Sequence, residues 1–227
     1  MNAKSKAGET MAGIRKKRDV RREEIIETAV DIFYEHGYHK ASIRDITEKM
    51  GLTKAAIYYH FNNKEEILFN IVDQATKELL YIFKSSISEH KEPIENLRDL
   101  IVNQIMYMNS HRKKVKILVE DKRFLSGELN RLVKNKERTI FYLFRSYVER
   151  MQRTGSLRAF DLTTATFGIF GMINWLYHWY RPNRKLSIEE LAEHIVNILF
   201  HGLLSSKEEE DKGRLQCATP SDKFSEQ

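Results

Sequence analysis

The chain has 227 residues, 41% hydrophobic, 31% charged and 11% aromatic; this supports a sizeable core, and 10 Gly and 3 Pro exclude collagen-like or proline-rich disordered chains. The lone cysteine, Cys217, excludes a disulfide scaffold and a cysteine-based zinc site and fits a reducing compartment, so a cytoplasmic protein is expected. The net charge of +6 is unevenly spread: residues 1–22 carry eight Lys/Arg against two Asp/Glu, residues 112–158 fourteen against five, and residues 207–227 four against six. The two basic concentrations point either to polyanionic partners or to a solvated surface.

Strand signals are nearly absent and helical periodicity runs along the chain, so an all-α fold of about nine helices is expected. Residues 1–18 are polar without an apolar period and read as a disordered basic arm ending near residue 20; no apolar stretch follows, so no secretory signal is expected. Ile25, Ile26, Ala29, Val30, Phe33 and Tyr34 mark one helix face, and Gly37 stops that helix. Ser42 can cap a second helix with Ile43, Ile46 and Met50 inward, ended by Gly51. Thr53 can cap a third, with Ile57 and Phe61 as an i, i+4 apolar pair. Asn63 with Glu66 resembles a capping box opening a fourth, whose apolar residues continue to Phe83.

Pro93 restarts the chain, and Leu97, Leu100, Ile101, Gln104 and Ile105 predict another helix. Residues 112–122 read as a short basic helix and Ser126 to Thr154 as a long one, broken by Gly155. Leu162 to Tyr180 lacks Asp, Glu, Lys and Arg and nearly has the length of a membrane span. Its Thr163, Thr164, Thr166, Asn174 and His178 favour a buried helix, capped by Asp161 and buried on every side. Ser187 with Glu190 forms a capping box for the last helix. Residues 207–227 read as a disordered tail.

The short Gly51-Leu52-Thr53 link between two helices has helix-turn-helix spacing. The second of such helices lies in a DNA major groove. With Ile57 and Phe61 inward, Tyr58, Tyr59 and His60 are left on or near the outer face. Small Ala55 and Ala56 permit close approach to bases, and alanine can touch a thymine methyl. Thr53, Lys54, Tyr58 and Lys64 can donate to phosphates. A plain helical bundle with a tyrosine-rich edge is the competing reading.

Residues 22–69, REEIIETAVDIFYEHGYHKASIRDITEKMGLTKAAIYYHFNNKEEILF, resemble the DNA-binding domain of the TetR family of bacterial repressors, without interruption. The resemblance implies an all-helical homodimer that binds a palindromic double-stranded operator and is released by a small ligand. It implies DNA contacts from Ser42, Thr53, Lys54, Ala55, Tyr58, Tyr59, His60 and Lys64, with Arg44 as a further candidate. The expected division is then the arm over 1–20, the helix-turn-helix domain over 21–68, a ligand-binding and dimerisation domain over 69–206, and the tail. Basic residues 15–22 can reach the minor groove or phosphates, as terminal arms do; a solubilising tail is the other reading.

The segment GMINWLYHWYRP, residues 171–182, resembles the acyl-CoA-responsive branch of that family, the Bacillus-type FadR regulators and related repressors of steroid catabolism. This implies a fatty acyl-CoA effector and control of fatty-acid metabolism genes. Trp179 and Tyr180 can stack on adenine, and Arg181 and Arg184 can clamp phosphate. Met106, Phe141, Phe144 and Phe170, with Met108 and Phe167, are candidates for an acyl tunnel, although such residues at helical spacing are more often core. The uncharged helix and the last helix are expected to form a four-helix dimer interface. The alternatives are a multidrug-efflux repressor sensing hydrophobic cations, and a DNA binder without ligand. No phosphate loop, GxSxG, HExxH or Cys/His cluster is present, so no enzyme, resident cofactor or metal is expected, and no membrane association.

Overall fold

The structure is a computed structural model that describes residues 3–157, 160–182 and 186–202, with side chains from residue 16 onward. Among these residues there are nine α-helices and no strand: α1 (Ala3–His36), α2 (Ile43–Met50), α3 (Lys54–Tyr58), α4 (Lys64–Ser86), α5 (Pro93–Ser110), α6 (Arg112–Glu120), α7 (Gly127–Arg153), α8 (Leu162–Trp179) and α9 (Ile188–His201), with a 3-10 turn at Lys122–Phe124. The all-α expectation holds. Arg184, Cys217 and the tail over 207–227 lie outside the described residues.

The start of α1 differs from the expected arm, since helix begins at Ala3. The segment is rich in Ala, Lys and Arg, which are strong helix formers. A helix already nucleated by the packed face at 25–34 extends backward at one hydrogen bond per residue and needs no apolar stripe.

Local capping sets most boundaries. Ser42 and Asp45 form a capping box, and Ser187 and Glu190 form another. The Asn63 carboxamide accepts from the Glu66 N–H at 2.8 Å. The return half of that expected box is displaced: Glu66 accepts from the Asn62 N–H and Asn62 Nδ2, both at 2.8 Å, and also faces Arg22.

Two apolar cores stack along the molecule. The lower one gathers Ile25, Ile26, Val30 and Phe33 of α1, Ile46 of α2, Ile57 and Phe61 around α3, and Ile67, Leu68, Ile71 and Val72 of α4. Fully burying residues such as Phe33 and Phe61 contributes about 1.5–3 kcal/mol each. The upper core unites Leu79 and Phe83 of α4 with α5, α7, α8 and α9. Helix α4 therefore belongs to both. So does α6, which places Ile117 in the lower core and Val115 in the upper.

Within one chain helix α8 is buried on one side only: Ile169, Ile173 and Leu176 face the core, while Phe167, Trp175 and Trp179 are 60%, 62% and 49% exposed. One chain has too few helices to cover both faces of this apolar rod. Among the described residues no helix is long and apolar enough to cross a membrane.

Candidate nucleic-acid interface and ligand cavities

The turn between α2 and α3 is built by Gly51, whose φ of +63° is left-handed and favours glycine. There the Gly51 N–H donates to Glu48 O and the Leu52 N–H to Thr47 O, closing α2. Thr53 Oγ1 then accepts from the Ala56 N–H at 3.2 Å and starts α3. Ile57 and Phe61 anchor α3 inward, as their spacing predicts. Thr53, Lys54, Ala55, Tyr58 and Tyr59 are left together on the open face, with Tyr59 71% exposed.

The remaining predicted DNA contacts are placed differently. Lys64 is turned inward: its Nζ donates to Tyr38 O and Ala41 O, both at 2.8 Å, and sits 4.2 Å from the Tyr38 ring centre. Two of its three donors hold the α1–α2 turn, and burial lowers its pKa. The Ser42 hydroxyl faces the Asp45 carboxylate at 3.0 Å, and Arg44 Nε donates to Glu48 at 2.6 Å. Both side chains are exposed but engaged within α2. His60 is half-buried, with its ring 5.1 Å from that of Tyr59 and its Nδ1 without a partner. Burial, then the charges of Arg18, Arg22 and Arg21, push its pKa down, so it is neutral at pH 7. Arg22 stacks 4.6 Å from the Phe61 ring centre, which sets the basic end of α1 beside the reading helix.

In the body, a cavity of about 600 Å³ opens between α4, α5, α6, α7 and α8. Leu79, Ile140, Phe141, Phe167 and Phe170 supply apolar wall, so Phe141 and Phe170 lie where the tunnel reading placed them. Lys122, Lys134, Arg138 and Glu137 add charge, with Lys122 paired to Glu137. A polar pair, buried Gln104 and exposed Asn174, also lines it. Gln104 Nε2 donates to Asn174 Oδ1 at 3.0 Å, and Gln104 Oε1 has no partner. Sequence reasoning missed these polar residues. The one available signal was Gln104 standing on the apolar stripe of α5.

Five predicted tunnel or clamp residues sit elsewhere. Phe144 is fully buried in the upper core, packed on Phe83 and Phe170 with ring centres 5.3 and 4.7 Å away. Met106 packs against that core outside the cavity. Tyr180 is buried, its hydroxyl donating to Leu186 O at 3.3 Å, so it cannot stack on a base. Trp179 lies on the exposed face of α8. Arg181 lines a second pocket, of about 290 Å³, together with Tyr34, Arg112, Lys116, Glu120 and Tyr177.

Part of the basic surplus at 112–158 is paired with acids from elsewhere in the chain: Lys113 with Asp31, Lys114 with Glu27 and Lys136 with Asp73.

A helix-turn-helix head with an outward polar reading face, set on a helical body with an open cavity between its helices, defines a DNA-binding regulator. Residues 25–71 match the family of bacterial regulatory proteins described as tetR, and residues 90–203 match the tetracyclin repressor-like C-terminal domain. The chain belongs to the TetR family and is a TetR-type DNA-binding transcriptional repressor. These domains are those of a regulator and not of an enzyme. The HTH-type transcriptional repressor KstR2 of Rhodococcus jostii RHA1 is 23% identical over 194 residues, 82% of this chain and 92% of its own. The probable acrEF/envCD operon repressor of Escherichia coli K12 is 34% identical over 90 residues, 38% of this chain and 40% of its own. The crystal structure of AibR in complex with isovaleryl coenzyme A and operator DNA is similar with a TM-score of 0.74 and 27% identity, covering 79% of this chain and 98% of that one.

Proposed function

We propose that this repressor is a homodimer that holds a palindromic operator and releases it on binding a long-chain acyl-CoA, and that the genes it controls serve fatty-acid metabolism. The observation that carries the reading is the cavity: about 600 Å³, walled by Phe141, Phe167 and Phe170, with Lys122, Lys134 and Arg138 outnumbering Glu137. Its size is that of small-molecule sites, and its chemistry suits an apolar chain bearing negative charge. A hydrophobic cation meets the wrong sign there, which disfavours the efflux reading. The open volume disfavours a ligandless DNA binder whose cavity is closed by Phe and Met. The isovaleryl coenzyme A complex of AibR supports the same choice.

On the DNA side, Thr53, Lys54, Ala55, Tyr58 and Tyr59 form the contact surface, with Ser42 and Arg44 at its edge once their bonds within α2 are exchanged. His60 supports the ring of Tyr59, and Lys64 holds the turn behind it. The basic end of α1 adds phosphate contacts that carry no sequence information. Dimerisation covers Trp175 and Trp179 of α8, and a two-fold axis presents the two α3 helices to successive major grooves. Ligand releases DNA only by binding better to the arrangement in which those helices no longer match the grooves. Helices α4 and α6, shared by both cores, transmit the difference.

Both tryptophans lie on α8. Their fluorescence in a titration with long-chain acyl-CoA tests the ligand assignment. Saturable change in the wild type, weakened at least about tenfold in Phe141→Asp, supports it. An unresponsive wild type rejects it.

A further inference from the structure

The second pocket borders the first. On α8, Gly171 and Asn174 line the large cavity, and Tyr177 and His178 line the small one. On α6, Leu118 and Val119 line the large cavity, and Arg112, Lys116 and Glu120 the small one. Residues 170 and 177 are separated by two helical turns, about 10 Å along the axis. The two spaces are therefore consecutive segments of the crevice where α6 packs on α8. The first is walled by phenylalanines, the second by cations.

In the second pocket the charges are Arg112, Lys116 and Arg181 against Glu120. Arg112 Nη2 donates to Tyr180 O at 2.7 Å, while Nη1 is buried and has no partner. A buried guanidinium nitrogen without an acceptor is a costly vacancy that an anion removes. Lys116 Nζ lies 3.3 Å from Tyr34 O, keeping donors free. Arg181 Nη1 donates to His178 O and Tyr180 O at 3.1 and 3.0 Å, which positions its guanidinium at the mouth. Glu120 is drawn to Tyr177, whose hydroxyl is pushed up to about 12 by burial, then by the charge of Glu120 and the hydrogen bond it accepts.

We propose that this pocket is a phosphate site, the anionic end of the ligand crevice, where Arg112, Lys116 and Arg181 grip the phosphates of a ligand whose apolar chain occupies the larger cavity. The identity of the whole ligand rests on the acyl-CoA reading; the affinity for phosphate does not. A volume of about 290 Å³ suits a headgroup and not a long chain. An anion there bonds α6 to the end of α8 beside Tyr34 of α1, so the site lies where body and head meet.

The test is calorimetric titration of the full-length protein at fixed ionic strength with inorganic pyrophosphate, hexadecanoyl-CoA and hexadecanoate. The variants are Lys116→Gln, Arg181→Gln and, as a control on the open surface of α7 away from both pockets, Arg131→Gln. Melting curves confirm that each is folded. The expected result is saturable pyrophosphate binding weakened about tenfold or more by Lys116→Gln and by Arg181→Gln, untouched by Arg131→Gln, with hexadecanoate binding unchanged throughout. Absence of pyrophosphate binding in the wild type, equal affinity in all variants, or an equal loss in Arg131→Gln overturns the proposal. Pyrophosphate binding that obeys this pattern while hexadecanoyl-CoA does not bind upholds the phosphate site and removes the acyl-CoA reading.

Discussion

Lys113 of α6 donates to Oδ1 of Asp31 in α1 at 2.6 Å, and Lys49 of α2 donates to Oδ2 of the same carboxylate at 3.1 Å. One side chain of the head thus joins the ligand-lining helix α6 to the helix that precedes the reading turn. A second tie runs from Lys114 to Glu27 at 2.7 Å, and Ile117 inserts between them into the lower core. A shift of α6 against α8 is felt in α1 and α2 directly, in parallel with the longer lever of α4.

Asp31→Asn weakens that tie. Hydrogen bonds from Lys113, then Lys49, hold the Asp31 carboxyl below its usual range. A depressed carboxyl pKa adds stability above the unfolded value, near pH 4, and loses it as pH falls through the folded value. The pair is partly exposed, so the variant loses at most about 1 kcal/mol at pH 7. Urea melts at pH 7 and near pH 3 measure this: the gap between wild type and variant should close in acid.

Tyr59→Ala removes an exposed ring from the reading face. Operator affinity should fall at least about tenfold, while folding stability stays within about 0.5 kcal/mol. Lys54→Ala should lower affinity for operator and random duplex alike and reduce the salt slope by about 1. Anisotropy at several salt concentrations separates the two effects.

Lys64→Ala should behave as a stability mutant. It strips a donor from two carbonyls of the α1–α2 turn, Tyr38 O and Ala41 O, at a cost of about 1–3 kcal/mol. Chemical denaturation should show that loss, and binding measured where the variant is fully folded should retain most operator affinity.

Phe144 and Phe141 should part company. Phe144→Ala opens a cavity in the core and should cost about 3–5 kcal/mol. Phe141→Ala enlarges a space that already exists, so it should weaken effector binding with a smaller loss of stability. Denaturant melts paired with acyl-CoA titration distinguish them.

The helix ends and the reading face were legible because the responsible groups lie within one turn of each other. Ser42 with Asp45, Thr53 with Ala56, and Ile57 with Phe61 are local relations that spacing alone predicts. Lys64 was not legible as a turn anchor, since its acceptors lie 23 and 26 residues away. Nor was the pairing of Lys113 with Asp31, 82 residues apart. Phe141 and Phe144 share one side of α7, and only the placement of α8 decides which fills the core and which walls the cavity. Tyr180, Arg181 and Trp179 are adjacent in the chain, yet the end of α8 sends them to core, pocket and open face. The crevice joining the two pockets exists only where α6 packs on α8, a relation no local pattern encodes.

The most direct measurement of the central claim is fluorescence anisotropy of a labelled duplex from upstream of the protein's own gene, bound by the wild type at two salt concentrations and then challenged with long-chain acyl-CoA, free fatty acid or coenzyme A. Tight binding that weakens with salt and is released by acyl-CoA, while fatty acid or coenzyme A alone leaves the complex intact, is the predicted result. A complex equally insensitive to all three contradicts the ligand assignment, and a duplex bound no better than random DNA contradicts the assignment of the operator.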